Sequence, residues 1–177
     1  MLSDRDIRRL LRSGLIRPEP EDHCIQPSSV DLHIGDEFMQ LVRSQYKIDL
    51  SVRKPEYNSF ITDSYTLAPD EFLLARTQEF VDIPDNLSAR VEGKSTLGRV
   101  GLLVHTTAGF IDPGFRGHIT LELKNVGPVP IVLRTGMGIA QICFYTLVSK
   151  PLRKYGDDGL KSKYKDSKGV VGARTSA

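Results

Sequence analysis

The strongest constraint on this chain is its punctuation. From Val30 onward it breaks into short stretches separated by turn-forming groups at Ala68-Pro69-Asp70, Pro84-Asp85-Asn86, Asp112-Pro113-Gly114 and Gly127-Pro128. Many of these stretches alternate apolar and polar residues, which puts one face of an extended chain on a core, and proline or glycine ends the run. Strands are expected over residues 30–34, 38–42, 65–68, 72–77, 80–83, 88–92, 102–107, 117–124, 131–133 and 139–147. Residues 43–63 are polar and irregular and read as a long loop. A single helix is expected near the start, capped by Ser3, striped by Ile7, Leu10 and Leu11 and stopped at Ser13-Gly14. This pattern predicts an all-β fold with one N-terminal helix, a distorted jelly-roll or β-barrel.

Composition narrows the classes. At 177 residues the chain is expected to form one domain, spanning 1–177, and to bury a core without staples. A net charge of +2 is too mild for a nucleic-acid surface. No apolar run approaches the ~20 residues of a membrane span. The charged opening, Ser3-Asp4-Arg5-Asp6, is unlike a secretory signal, so a cytoplasmic location is expected. Cys24 and Cys143 are far apart and form no Cys-x-x-Cys pair. Cys143, within an apolar run, reads as a buried small hydrophobe. His23, His33, His105 and His118 show no His-x-Glu spacing, so a zinc-hydrolase site is poorly supported.

The stretch Gly93-Lys94-Ser95-Thr96 looks like the end of a phosphate-binding P-loop. That motif needs a glycine five residues before Gly93, where Ser88 stands, and a long helix afterwards. Here a short apolar stretch follows instead. If Ser95 caps a single helical turn, its free N–H groups and the Arg99 guanidinium make a small anion site. The alternative is a surface turn with an exposed arginine. Downstream, Asp112-Pro113-Gly114-Phe115 fits a type II turn. Alternation over residues 117–124 puts Ile119, Leu121 and Leu123 on one face, with His118, Thr120, Glu122 and Lys124 on the other. A strand carboxylate on such a face is ordinarily just solvated.

Taken together these features spell a block. "EGKSTLGRVGLLVHTTAGFIDPGFRGHITLELKN" closely resembles the dCTP deaminases of the dUTPase-like superfamily. Leu2 to Ile7, Gln26-Pro27-Ser28-Ser29-Val30-Asp31, Lys163-Tyr164 and Gly169 extend the resemblance over most of the chain, with little of it in residues 43–63. It implies hydrolysis of the cytosine amino group of dCTP without zinc, with Glu122 as the proton shuttle. Ser95 and Arg99 are implied at the reaction centre, positioning water and stabilising charge, and Arg99 is expected to favour the ionised form of Glu122. The nucleotide is expected to meet Lys94, Ser95, Thr96, Leu97, Gly98 and Arg99, with Asp112 near the deoxyribose. Backbone of Thr120, Leu121 and Glu122 would face the base. The Ala108 carbonyl would hold the reacting group, and Gln141, Tyr155 and Lys163 would serve as nucleotide and phosphate contacts.

The charged segment from Lys150 reads, taken alone, as a disordered terminus; with the resemblance it becomes a flexible arm, 150–177, closing over the nucleotide. Where the family's tail carries glutamine this chain has Ser167, which shortens that contact. The resemblance further implies a homotrimer with active sites shared between subunits, magnesium on the phosphates, and dTTP as feedback inhibitor through His105-Thr106-Thr107. Gly109, after Ala108, looks like the type that continues to dUMP, leaving room for an additional water. The competing readings are a deaminase that stops at dUTP, a plain dUTP diphosphatase and a non-catalytic nucleotide-binding regulator.

Overall fold

The computed structural model describes residues 1–43, 47–51, 54–105 and 107–174. The chain opens with helix α1 (Asp4–Leu11), whose apolar stripe buries Ile7 and Leu11. Ser3 stands at its N-cap, but the hydroxyl makes no capping bond; its carbonyl accepts the Asp6 and Ile7 N–H groups instead. Gly14, at φ 85°, turns the chain out of the helix end.

Twelve strands follow: β1 (Ile16–Arg17), β2 (Ile25–Gln26), β3 (Ser29–Leu41), β4 (Tyr57–Ile61), β5 (Ser64–Leu67) and β6 (Phe72–Asp82). Then come β7 (Leu87–Gly93), the helical turn α2 (Ser95–Gly98), β8 (Leu102–Val104), β9 (Phe110–Ile111), β10 (Arg116–Asn125), β11 (Ile131–Arg134) and β12 (Gly138–Thr146). Ten strands form one sheet, seven along the path β8-β10-β6-β3-β12-β7-β9 with β1 paired to β6 and β2 and β4 paired to β3, and β5 pairs β11 separately. Every strand pair is antiparallel. The expected all-β class with one N-terminal helix is what the chain adopts.

Three expectations are corrected. Residues 30–34 and 38–42 are one long strand, β3, whose register against β6 shifts between Ile34 and Phe38. Gly35-Asp36 therefore marks a bulge rather than a break. Residues 72–77 and 80–83 likewise form the single strand β6. Where the pairing of β10 with β6 shifts register between His118 and Thr120, the Thr77 hydroxyl donates to the Glu79 carbonyl at 2.8 Å and accepts the Ile119 N–H at 3.1 Å, filling the gap in the ladder. Residues 43–63 are not one loop, since β4 pairs β3 from Tyr57↔Leu41 to Ile61↔Glu37.

The core lies between the sheet faces, around Phe38, Phe144, Leu32, Ile34 and Leu121, all fully buried. Phe38 stacks on Phe60 at 5.8 Å and on Tyr65 at 6.0 Å, so β3, β4 and β5 share one aromatic cluster. Cys143 is only partly buried, because alternation in β12 sends Ile142 and Phe144 inward and turns the thiol to the opposite face. Truncating Phe38→Ala removes a fully buried ring and is expected to cost about 3–5 kcal/mol of unfolding free energy, read from the urea midpoint at unchanged slope.

Tyr65 donates its hydroxyl to Glu71. Burial, with that hydrogen bond and carboxylate charge, pushes its pKa up to about 12. A raised folded-state value means the unfolded chain loses the proton first. Stability is thus expected to fall as pH rises from about 10 towards about 12. Urea titrations across that range check this, and Tyr65→Phe is expected to flatten the fall.

Candidate active site

Strand β10 is paired to β6 on one edge and, over its last three residues, to β8 on the other. Its burial alternates as expected: Ile119, Leu121 and Leu123 point into the core, and His118, Thr120 and Glu122 are half-buried on the opposite face. That second face lines a cavity of about 460 Å³ with Ala108, Asp112, Phe115, Tyr155 and Ser167. Thr107 donates its hydroxyl to Glu122 Oε2 at 2.7 Å, which fixes one carboxylate oxygen. The Asp112–Phe115 turn forms as expected, with Phe115 N–H donating to the Asp112 carbonyl and Gly114 at φ 87°.

The Lys94–Arg99 turn faces a different, more open cavity of about 780 Å³, lined by Lys94, Ser95, Thr96, Gly98 and Gln141. The cap position of α2 is Lys94 rather than Ser95, and no side chain caps it. Ser95 is instead the first residue of the helical turn. Lys94 Nζ lies 2.6 Å from Asp31, and Ser29 donates its hydroxyl to the Gln141 amide oxygen at 3.0 Å. With its oxygen taken, the Gln141 amide keeps its N–H₂ donors for other partners. Asp31 and Ser29 lie on alternate positions of β3, Asp31 directly across from Gln141 of β12. The Gln26–Asp31 segment carried their signal, but not their roles.

The chain thus brings Glu122, Thr120, Ala108, Asp112, Tyr155 and Ser167 together, and gathers Ser95, Thr96, Gly98 and Gln141 around Lys94. It does not bring Ser95 and Arg99 to Glu122. Arg99 follows α2 as its exposed C-cap and lines neither cavity; its backbone N–H donates to the Ser95 carbonyl at 3.0 Å, but its guanidinium makes no hydrogen bond or ion pair among the described residues. Leu97 packs on the core and Leu121 is fully buried, so neither side chain reaches a cavity. Lys163 lines neither cavity, and its carbonyl accepts from Arg174. Ser167 is buried; its hydroxyl donates to the Tyr164 carbonyl and its backbone bridges Gly117.

His105 is common to both cavities. It is buried at φ 51°, its N–H donates to the Glu122 carbonyl at 2.8 Å, and its Nε2 meets the Ala108 carbonyl at 3.0 Å. A neutral ring with its proton on Nε2 satisfies that last contact, and Nδ1 is then buried with no partner. Burial lowers the His105 pKa against the opposing effects of the Glu122 charge and the Ala108 hydrogen bond. Thr106 lies outside the described residues, so the expected His105–Thr107 switch is only partly in view.

Gly109 lies against β7. A Cβ there would stand 2.6 Å from the Val91 carbonyl. The Val91 N–H donates to the Gly109 carbonyl at 2.8 Å. The missing side chain thus permits close approach to β7.

The family model for dCTP deaminase-like proteins matches residues 1–147. The chain belongs to that family. It is similar to proteins named "dCTP deaminase, dUMP-forming" from Beutenbergia cavernae, 44% identical over 99% of this chain and 94% of that one, and from Mycobacterium marinum, 44% identical over 99% and 95%. The counterpart from Streptomyces griseus is 41% identical over 99% and 95%. The fold of this family member resembles the solved dCTP deaminase of Agrobacterium tumefaciens, with TM-score 0.65 and 22% identity over 82% of this chain and 47% of that one. It also resembles a variant of the phage 80α dUTPase, with TM-score 0.51 and 15% identity over 80% and 90%.

For His105 the sign of the pH effect follows from its lowered pKa. The unfolded chain protonates first, so stability is present above the ordinary histidine value and lost as pH falls through it. Thermal melts from pH 7.5 down to pH 5 are expected to show this loss, and His105→Gln is expected to weaken it.

Proposed function

We propose that this chain hydrolyses dCTP to ammonia, dUMP and diphosphate. The observation that carries the deamination is the setting of Glu122: a carboxylate on a rigid strand, one oxygen fixed by Thr107, opening on a cavity beside the Ala108 carbonyl. The relatives' shared description as dUMP-forming supports the second half of the reaction over a chain that stops at dUTP.

The free oxygen of Glu122 takes a proton from water as the water oxygen adds to C4 of the cytosine. That proton moves on to the ring nitrogen, the C4–N bond breaks, and a second proton leaves with the amino group as ammonia. The product at this stage is dUTP, and a further water cleaves it to dUMP and diphosphate. Asp112, Thr120, Tyr155 and Ser167 line the Glu122 cavity; in this reading the first three would hold the nucleoside and Ser167 would close beside it. Gln141 and Lys94 offer donors to phosphate from the neighbouring cavity.

Among the described residues no group of three or more His, Cys, Asp or Glu is placed to hold a metal ion. In this reading magnesium would arrive on the oxygens of the triphosphate, where it would offset phosphate charge.

Ser95 and Arg99 reach Glu122 by assembly. Val100, Leu103 and Val126 are exposed beside α2, and Val126 N–H donates to the Gly101 carbonyl. An apolar surface next to an unpartnered arginine suits a second copy of the chain, which would carry that Ser95 and Arg99 to this Glu122 in a homotrimer. Feedback by dTTP through the His105–Thr107 turn and a cytoplasmic location belong to the same reading. No helix among the described residues is long and apolar enough to cross a membrane.

One incubation with dCTP and magnesium tests the proposal, with ammonia, dUTP and dUMP followed together. Equal yields of ammonia and dUMP are expected, and dUTP accumulating without diphosphate overturns the second step. Glu122→Gln is expected to keep dCTP binding and to slow ammonia release by about 10²–10⁴-fold.

A further inference from the structure

The C-terminal strap, residues 169–173, is laid into a seat that no motif in the sequence announces. Its backbone N–H groups donate to side chains on three different strands: Val170 to Glu37 Oε2 on β3 at 3.3 Å, Val171 to Thr120 Oγ1 on β10 at 3.1 Å, and Ala173 to the Tyr57 hydroxyl on β4 at 3.1 Å. Two glycines sit where the strap meets this seat. A Cβ on Gly169 would stand within 3.0 Å of Glu37 Oε2, and one on Gly172 within 3.0 Å of the Tyr57 ring. Neither glycine has a left-handed φ, so it is space and not backbone conformation that demands them.

The seat is itself held. Arg76 donates from Nε to Glu37 Oε1 at 2.8 Å and from Nη2 to Asp36 at 3.0 Å, and its side chain is only 17% exposed. This fork occupies one oxygen of Glu37 and leaves the other for Val170. A carboxylate can accept at both places, whereas an amide has one acceptor oxygen and cannot serve both donors. Inside the seat, Val171, Gly172 and Ala173 line the Glu122 cavity together with His105, Ala108 and Tyr57 itself. Glu37 does not line that cavity, and reaches it through the strap.

We propose that Glu37, oriented by Arg76, and Tyr57 are positioning residues that seat residues 169–173 as one wall of the nucleotide cavity, and so set the affinity for dCTP without taking part in bond breaking. The effect on dCTP rests on the substrate reading above; the seating of the strap does not.

Amide hydrogen exchange on the full-length chain, alone and with dCTP, reads the seat directly. The Val170, Val171 and Ala173 amides are expected to be protected. Glu37→Ala and Glu37→Gln are both expected to lose protection at Val170 while the β10 amides keep theirs. In steady-state assays these variants are expected to raise KM for dCTP about five- to tenfold, the size of one lost hydrogen bond, with kcat within about twofold. Gly172→Ala, a surface change that spares the core, is expected to raise KM similarly when Tyr57 is present and to add nothing when Tyr57 is replaced by alanine.

Free-chain exchange at all three amides, with and without dCTP, overturns the proposal, as does an unchanged KM in variants that have lost protection. Protected amides in a chain that leaves dCTP untouched overturn the substrate reading and leave the seat standing.

Discussion

The structure depends on the period-two alternation of β10. Held by β6 along one edge and by β8 and the tail along the other, this strand has no freedom to slide. A shift of one residue would turn Leu121 and Leu123 out of the core and Glu122 into it. Burial of those leucines thus fixes the register, and the register fixes the carboxylate on the cavity side. Packing and chemistry sit on opposite faces of one element. The cost of the cavity face is the desolvation of a half-buried carboxylate, which Thr107 offsets with one hydrogen bond.

Much of this was legible because it is local. The alternation of residues 117–124, the Asp112–Phe115 turn and the strands around them follow from side-chain period and turn chemistry. What escaped is set by partners distant in sequence. Gly35-Asp36 looks like a break in β3 because bulges and turns use the same residues; only the shifted pairing with β6 tells them apart. β4 hides in polar sequence because much of its surface is exposed and its place comes from pairing with β3. At Gly109 the sequence does not show what the missing side chain accommodates within the chain, namely the Val91 carbonyl of a distant strand.

The tail follows the same logic. Residues 161–168 are charged, and composition alone assigns them to solvent. Their order comes from single contacts that composition does not record. Tyr155 N–H donates to the Pro113 carbonyl, Asp166 N–H to the Arg116 carbonyl, and Ser167 joins the edge of β10 that β8 leaves open. Ser167 is too short for the reach expected of a glutamine. It serves through its backbone, which pairs with Gly117 and His118, and that pairing is indifferent to side-chain length.

The two cations of the α2 turn differ in what they have left to give. Lys94 is engaged by Asp31 at 2.6 Å, so an arriving phosphate must share it with a carboxylate. The Arg99 guanidinium has no partner among the described residues and stands exposed. In open water a guanidinium attracts an anion weakly, since solvent screens the charge and competes for every donor. The same group shielded from water binds bidentately and far more strongly. Nothing in a single chain supplies that shield. The exposed Val100, Leu103 and Val126 beside it are what a second copy would cover. Burying those side chains would remove water from Arg99 in the same event, so that in a proposed assembly the arginine would gain its full strength only as the site was completed.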